Sequence, residues 1–536
     1  MPGRAFAGVL AAGAVVSVVM AACGAASSTT PFVNADVSLT NKNNAALRLN
    51  EAPYVLVDRN DPTRVYMSSM DLQQNVCRFS TSTDSGVTWT AGTGPSLAPY
   101  TDCGTGTVQP QNERTELKQG ANGTLYYAYQ ASADSQMTSV GAPRSVLLGR
   151  STDQGRTWSV TPIDASPIPT KPADVQTNME VHVTTDADHP QDVYAMWRRS
   201  YPSVTGVASR PTRPWMAVSH DGGATFSTPA MVVDQPNGFD GPRPLFVSGK
   251  LYAFYRISAP SATGQATPPQ TTQNVSVSSD GGKTWDTTKI DGANDGSEPV
   301  PMYDTQRKQF DVVYHDNNVI GSASGHLNIY FTSSTDGKKW STPVVLNDDH
   351  PGNNVTQHYY PQISEAPNGR IDVAWYDFRD DPYSAPVAKT PGAPLTLCGA
   401  CIGHGQSVYM SSSSDGGATW TANTRLNSVV IDRTKGTWNG TYFFVTPPTV
   451  TAENDRTIAG WSDTRNGDDQ DNFQDIYAGL VTYGAPATAS VTTTNDNTVL
   501  VAVVCAIGGA LAGAGIMLLV AGMIIRRRAQ PGVPVA

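Results

Sequence analysis

Apolar stretches rich in Val, Tyr and Trp recur along this chain in pairs, each pair set about a polar turn. Tyr54–Asp58 and Arg64–Ser69 flank Asn60-Asp61-Pro62, and Glu180–Thr185 and Asp192–Arg198 flank Asp188-His189-Pro190. Both pairs share the spacing D-x-x-x-P-x-x-V-Y, as Asp58…Pro62…Val65-Tyr66 and Asp186…Pro190…Val193-Tyr194. Others turn at Asn122-Gly123, Gly249-Lys250 or Asn368-Gly369, dipeptides at or close to those favoured in tight hairpins. The second members of the pairs are Val65–Ser69, Leu125–Gln130, Val193–Arg198, Leu251–Arg256, Phe310–His315, Ile371–Tyr376 and Thr457–Ser462, which makes seven units. Each leads to a third strand, such as Asn328–Thr332, Ser407–Ser411 or Asp475–Leu480.

The first six units then run into one short motif. Its copies start at Ser82, Ser151, Ser219, Ser278, Ser334 and Ser413, and the first reads Ser82-Thr83-Asp84-Ser85-Gly86-Val87-Thr88-Trp89. A carboxylate at the third position accepts hydrogen bonds from nearby backbone N–H groups, Gly supplies a positive φ, and the closing Trp or Phe packs back on the sheet. The consensus S-x-D-x-G-x-T-W resembles the Asp-box, or bacterial neuraminidase repeat, of sialidase-type β-propellers. That resemblance implies an all-β fold, a sialidase-like β-propeller of six or seven four-stranded blades. It also implies that the boxes join third to fourth strands at the outer edge, as braces and not as catalytic acids. The simplest count is seven blades with the last lacking a box; six blades plus one inserted or split unit is the alternative. Residues 24–50 precede the propeller, expected over 51–484, and Thr29–Asn50 is a candidate closing strand between first blade and last.

Composition narrows the partners. Only 15% of residues are charged, Gly and Pro are plentiful, and the net charge of −10 comes without a basic stretch outside the last few residues, which speaks against nucleic acid. The N-terminus reads as an export signal over 1–23: Arg4, an apolar run, then Met20-Ala21-Ala22-Cys23, similar to a lipoprotein box with Met where Leu is usual. Ordinary cleavage nearby is the rival. After a Thr/Ala-rich spacer at 485–497, residues 498–525 are expected to form a transmembrane helix followed by Arg526, Arg527 and Arg528 in a cytoplasmic tail, 526–536. This places the propeller outside the cell on a single-pass anchor. Outside the cytoplasm, Cys77–Cys103 and Cys398–Cys401 are the expected disulfides; a zinc site at Cys398, Cys401 and His404 is the weaker reading, with three ligands in one loop.

A propeller concentrates chemistry at the mouth of its central channel, between the starts of the innermost strands and the loops after the second strands. Ionisable or phenolic residues recur there: Glu51, Glu113, Arg114, Glu180, Arg243, Glu298, Tyr359, Tyr360 and Tyr442 on one side of each unit, and Asp71, Gln130, Arg198, Arg199, Arg256, His315, Asp316, Asp377, Arg379, Asp463 and Arg465 on the other. Sialidases clamp a sugar carboxylate with arginines, attack with a tyrosine activated by Glu, and use an Asp as acid/base. The residues at the mouth supply such a kit: Arg114, Arg243, Arg379 and Arg465 are the candidate substrate-binding residues and Tyr442, Glu298 and Asp377 the candidate catalytic ones, with Tyr360 as another candidate nucleophile and Glu180 as another partner. The Phe/Tyr-Arg-Ile-Pro motif of sialidases is missing, and the D-x-R pairs at Asp377 and Asp463 also suit structural ion pairs. The acidic run Asp468–Asp475 offers oxygen ligands of the calcium type but not a calcium-loop spacing, so no cofactor is expected. The function expected is hydrolysis of terminal sialic or related acidic sugars on glycoconjugates. The alternatives are a non-catalytic propeller binding glycans or proteins, and a hydrolase or lyase using two facing carboxylates.

Overall fold

The computed structural model describes residues 31–33, 37–39, 48–72, 74–101, 103, 114–133, 143–167, 169–201, 205, 210–234, 238–258, 271–294, 297–315, 327–349, 356–381, 405–432, 435, 446–467 and 473–483. Residues Val33–Leu480 form one compact unit. It is a seven-bladed, all-β propeller. The innermost strands are Arg48–Asp58, Glu116–Gln119, Thr177–Thr185, Gly238–Val247, Val300–Asp304, His358–Glu365 and Thr449–Glu453. Each packs beside the next, and the seventh packs beside the first, which closes the ring. All seven second strands anticipated from the sequence lie inside observed ones, from Asp61–Asp71 in blade 1 to Arg456–Asp463 in blade 7.

Closure uses both ends of the unit. The third strand of blade 7, Phe473–Tyr483, pairs antiparallel with Val37–Ser38 (Val37 opposite Ala478, Ser38 opposite Tyr477). It also pairs in parallel with the start of blade 1, Arg48 opposite Phe473. A blade whose outer strand comes from the other end of the chain has no turn between its third and fourth strands. That is why the seventh unit carries no Asp-box.

The six boxes share one hydrogen-bond plan. In the first, Thr88 donates its N–H to Asp84 Oδ1 at 2.8 Å, Ser82 Oγ donates to the same oxygen at 2.7 Å, and Gly86 N–H donates to Ser82 Oγ at 2.9 Å. The copy one residue shorter keeps the plan, with Lys338 and Lys339 N–H both 2.8 Å from Asp336 Oδ1. Box tryptophans stitch neighbouring blades. Trp158 meets Phe79 of blade 1 edge-on at 5.2 Å and Trp420 meets Phe331 of blade 5 at 5.1 Å. Gly155 allows the first of these contacts: its φ is +81° and a Cβ would sit 2.2 Å from the Phe79 ring. Between blades the core is apolar, with Trp197, Trp375 and Trp461 fully buried.

Cys77 and Cys103 form a disulfide, as expected. Cys398, Cys401, His404, Tyr442, Glu113, Asp316 and the acidic run from Asp468 to Asn472 lie outside the described residues, as do 1–23, 485–497, 498–525 and 526–536. Among the described residues no helix is long and apolar enough to cross a membrane.

Candidate functional site at the channel mouth

The innermost strands of blades 1, 3, 4 and 6 share a β-bulge near their starts. The pairing register slips between Glu51 and Tyr54, Met179 and His182, Asp240 and Arg243, and Tyr359 and Gln362. At each bulge one residue takes a left-handed backbone: Ala52 (φ 52°), Glu180 (55°), Gly241 (60°) and Tyr360 (54°). The next residue is Pro53, Val181, Pro242 or Pro361, and a proline is tolerated where the ladder is already broken. Each bulge N–H points to the preceding blade, where a side chain accepts it. Ala52 donates to Thr446 Oγ1 at 2.8 Å, Glu180 to Gln130 Oε1, Gly241 to Glu180 Oε2 at 3.0 Å, and Tyr360 to His315 Nδ1 at 3.3 Å. Left-handed Glu and Tyr cost on the order of 1–3 kcal/mol each, and such strain is characteristic of binding and catalytic positions.

These bulges gather three carboxylates and four guanidiniums. One oxygen from each of Glu180, Asp240 and Glu298 lies within 4.8 Å of the others. Arg114 Nη2 donates to Glu298 Oε2 at 2.9 Å. Asp240 bridges two arginines, accepting from Arg198 Nη1 on one oxygen and Arg256 Nη2 on the other. Arg198 Nη2 also stands 3.2 Å from Glu180 Oε1. The side chain of Glu180 is sealed from solvent, whereas those of Glu298 and Asp240 retain 18% and 19% of their exposure, so these two acids are the ones a ligand can touch.

Burial and the neighbouring Glu298 and Asp240 raise the Glu180 carboxyl above the usual range, against the pull of Arg198 and Arg114. Glu298 goes the other way: burial opposes it, but Arg114, Arg256, Arg243 and Arg198 together hold it ionised. Burial and Arg256 push His315 down to about 3. It is therefore neutral, and because Nδ1 accepts the Tyr360 N–H, its proton sits on Nε2.

Arg243 differs from its neighbours. No described carboxylate pairs with it; its buried Nε has no hydrogen-bond partner, a feature shared with Arg198 and Arg256, and Arg114 Nη1 has none either. Burial, then Arg114, lower its pKa despite Glu298 and Glu116. A second layer continues from it into the channel. Glu116 Oε2 accepts the Val183 N–H at 2.9 Å and lies 3.1 Å from His182 Nδ1, while Lys118 Nζ is 3.3 Å from both Glu116 Oε1 and the Tyr54 hydroxyl. Cations outnumber ionised acids along this wall, in a chain whose net charge is −10.

Of the residues singled out from sequence, the structure brings Arg114, Arg243 and Glu298 together, with Tyr360 near enough for its phenol to act on Arg114. Arg379 and Arg465 sit elsewhere. Asp377 accepts from Trp375 Nε1 at 3.0 Å and from Arg379 Nη2 at 2.8 Å, and Asp463 accepts from Trp461 Nε1 at 3.1 Å and from Arg465 Nη2 at 2.6 Å. The two guanidiniums stack on Tyr409 and Tyr477 at 4.3 and 4.0 Å. This W-x-D-x-R clamp repeats in blades 6 and 7 and makes no described contact with the mouth acids. Asp240 and Gly241 had no signal beyond the Gly-Pro that follows Asp240.

Residues 28–290 match the family model described as BNR repeat-like domain. No curated protein matches the chain. Among solved structures, the Hadza microbial sialidase Hz136 is similar at 14% identity and TM-score 0.43, covering 75% of this chain and 74% of that one. A protein of unknown function from Dyadobacter fermentans is similar at 14% identity and TM-score 0.40, covering 84% of this chain and 99% of that one. The Trypanosoma rangeli sialidase in complex with the inhibitor DANA is similar at 10% identity and TM-score 0.41, covering 83% of this chain and 59% of that one. At these values the likenesses say nothing about substrate. Residues 28–290 thus resemble a BNR repeat-like domain, and six copies of the Asp-box motif recur around a seven-bladed propeller.

Proposed function

We propose that the channel mouth is a glycoside hydrolase site for terminal acidic sugars, sialic acid or a related carboxylate-bearing sugar, on glycoconjugates. The observation that carries this reading is Arg243, a guanidinium without a described carboxylate partner, beside Arg114 with its Nη1 unpartnered. Two buried donors on adjacent planar forks suit a ligand carboxylate. Glu298, ionised and accessible, is the base that draws the proton from an attacking tyrosine. Tyr360, on the bulged strand of blade 6, and Tyr442 are the two candidates for that role. The uncharged run Val499–Ile525 supports a single-pass membrane tether with the propeller outside.

One observation favours binding without turnover: Glu180, the mouth acid held toward its protonated form, is enclosed and cannot reach a leaving group as it stands. Release of fluorophore from 4-methylumbelliferyl α-N-acetylneuraminide and β-glucuronide by the purified chain separates the two readings. Turnover lost in Glu298→Gln and in either Tyr360→Phe or Tyr442→Phe supports the hydrolase. No turnover by folded protein, with retained binding of the free acidic sugar, moves the function to recognition.

A further inference from the structure

The clamp in blade 6 carries two further groups. In blade 7, Asp463 accepts from Trp461 Nε1 and Arg465 Nη2, and Arg465 Nη1 donates to Ser428 Oγ at 3.2 Å. In blade 6, His358 and Asp349 are added against the same carboxylate. His358 is 99% buried by its side chain, which is 1% exposed, and its Nδ1 donates to the Leu327 carbonyl at 2.6 Å, so Nε2 is turned toward the acids. Nε2 lies 3.2 Å from Asp349 Oδ1 and 3.4 Å from Asp377 Oδ2, with no aligned hydrogen bond to either, and Asp349 Oδ2 is likewise buried without a partner.

We infer that Asp349, His358 and Asp377 form a binding site for a divalent transition metal of the zinc class, separate from the channel mouth. A tetrahedral ion with ligand bonds of about 2.0–2.1 Å separates its ligand atoms by roughly 3.3 Å, matching the two spacings from His358 Nε2, with the two carboxylate oxygens within 4.8 Å of each other, whereas a charge-assisted hydrogen bond from an imidazolium would close to about 2.7–2.9 Å. The ligands are held from behind in the manner usual for metal sites. Leu327 fixes the imidazole, Asn347 Nδ2 donates to Asp349 Oδ1 at 3.1 Å, and Trp375 and Arg379 donate to Asp377. Charge agrees: Asp348, Asp349 and Asp377 share one guanidinium, Arg379, which pairs with Asp348 at 2.7 Å and with Asp377 at 2.8 Å, so three carboxylates against one guanidinium leave two negative charges for a divalent ion to balance. An imidazole ligand favours zinc or a neighbouring transition metal over calcium or magnesium.

The test is metal content of the purified full chain after dialysis against metal-free buffer, with Co²⁺ titrated into stripped protein as a spectroscopic probe. About one equivalent of Zn²⁺ per chain and visible Co²⁺ ligand-field bands are expected. Both are expected to fall below about a tenth in His358→Gln and in Asp349→Asn, and to persist in His220→Gln on the exposed third box. If His358→Gln does not fold, Asp349→Asn and the wild-type Co²⁺ titration decide. No retained metal and no Co²⁺ bands in folded wild type would mean that a proton on His358 fills the place, and would overturn the inference. So would metal that survives undiminished in every variant that folds.

Discussion

Gly241 donates its backbone N–H to Glu180 Oε2 at 3.0 Å while leaving, in place of a side chain, the space that Glu298 occupies. A Cβ on Gly241 would stand 2.7 Å from Glu298 Cγ and 2.8 Å from its Cβ, at a φ of +60°. One residue thus holds the sealed acid and makes room for the accessible one. Gly241→Ala is expected to cost about 1–2 kcal/mol in stability, read by thermal unfolding. It is also expected to move Glu298 off Arg114 and depress any turnover by more than the stability loss explains.

Arg243→Met separates function from folding. Arg243 has its charge opposed by burial and by Arg114, which Glu298 and Glu116 only partly offset, and no described carboxylate forms an ion pair with it. Removing the charge while keeping the stem is expected to raise Tm or leave it unchanged, the pattern of a residue kept for a ligand at some expense of stability. A clear fall in Tm would instead show Arg243 to be a structural partner of Glu298 and Glu116.

Asp311 gives a pH signature remote from the mouth. Burial, with Asp304 and Glu365 nearby, raises its carboxyl to about 8, against a hydrogen bond from Gln309. The folded state therefore binds this proton more tightly than the unfolded chain. Its stabilisation is complete below the unfolded pKa and is lost as pH rises toward about 8, at up to about 1.4 kcal/mol per unit. Asp311→Asn is expected to flatten the decline in unfolding free energy between pH 5 and 8 (approximate limits set by that linkage). An unchanged slope would place the proton elsewhere.

The Cys77–Cys103 bridge spans 26 residues between the third strand of blade 1 and the approach to blade 2. Cys103→Ser is expected to lower unfolding free energy by about 2–4 kcal/mol, measured by urea titration under non-reducing conditions. Wild type in reductant should match the variant.

Much of this was legible in the residues, and the parts that were not share a cause. The six boxes and seven strand pairs announce their turns directly, since Asp, Gly and Trp are each demanded locally. Arg114, Arg243 and Glu298 could be placed at the mouth because strand starts can be counted. The bulges at Ala52, Glu180, Gly241 and Tyr360 could not be seen. An extra residue in a strand changes which side chain faces the channel, and this brought in Asp240 and sealed Glu180. The D-x-R pairs were ambiguous for another reason: Arg379 and Arg465 spell the same whether the guanidinium waits for a ligand or, as here, folds back on Asp377 and Asp463 under a Trp N–H.

The central claim is that the arginines of the mouth read a sugar carboxylate. The most direct measurement is kcat/KM of wild type and Arg243→Met on 4-methylumbelliferyl α-N-acetylneuraminide, beside the neutral β-galactoside. Wild type is expected to turn over the acidic substrate alone, and Arg243→Met to lose about 10- to 100-fold, the worth of one charge-assisted hydrogen bond. Equal rates in the two proteins, or a preference for the neutral sugar, would contradict it.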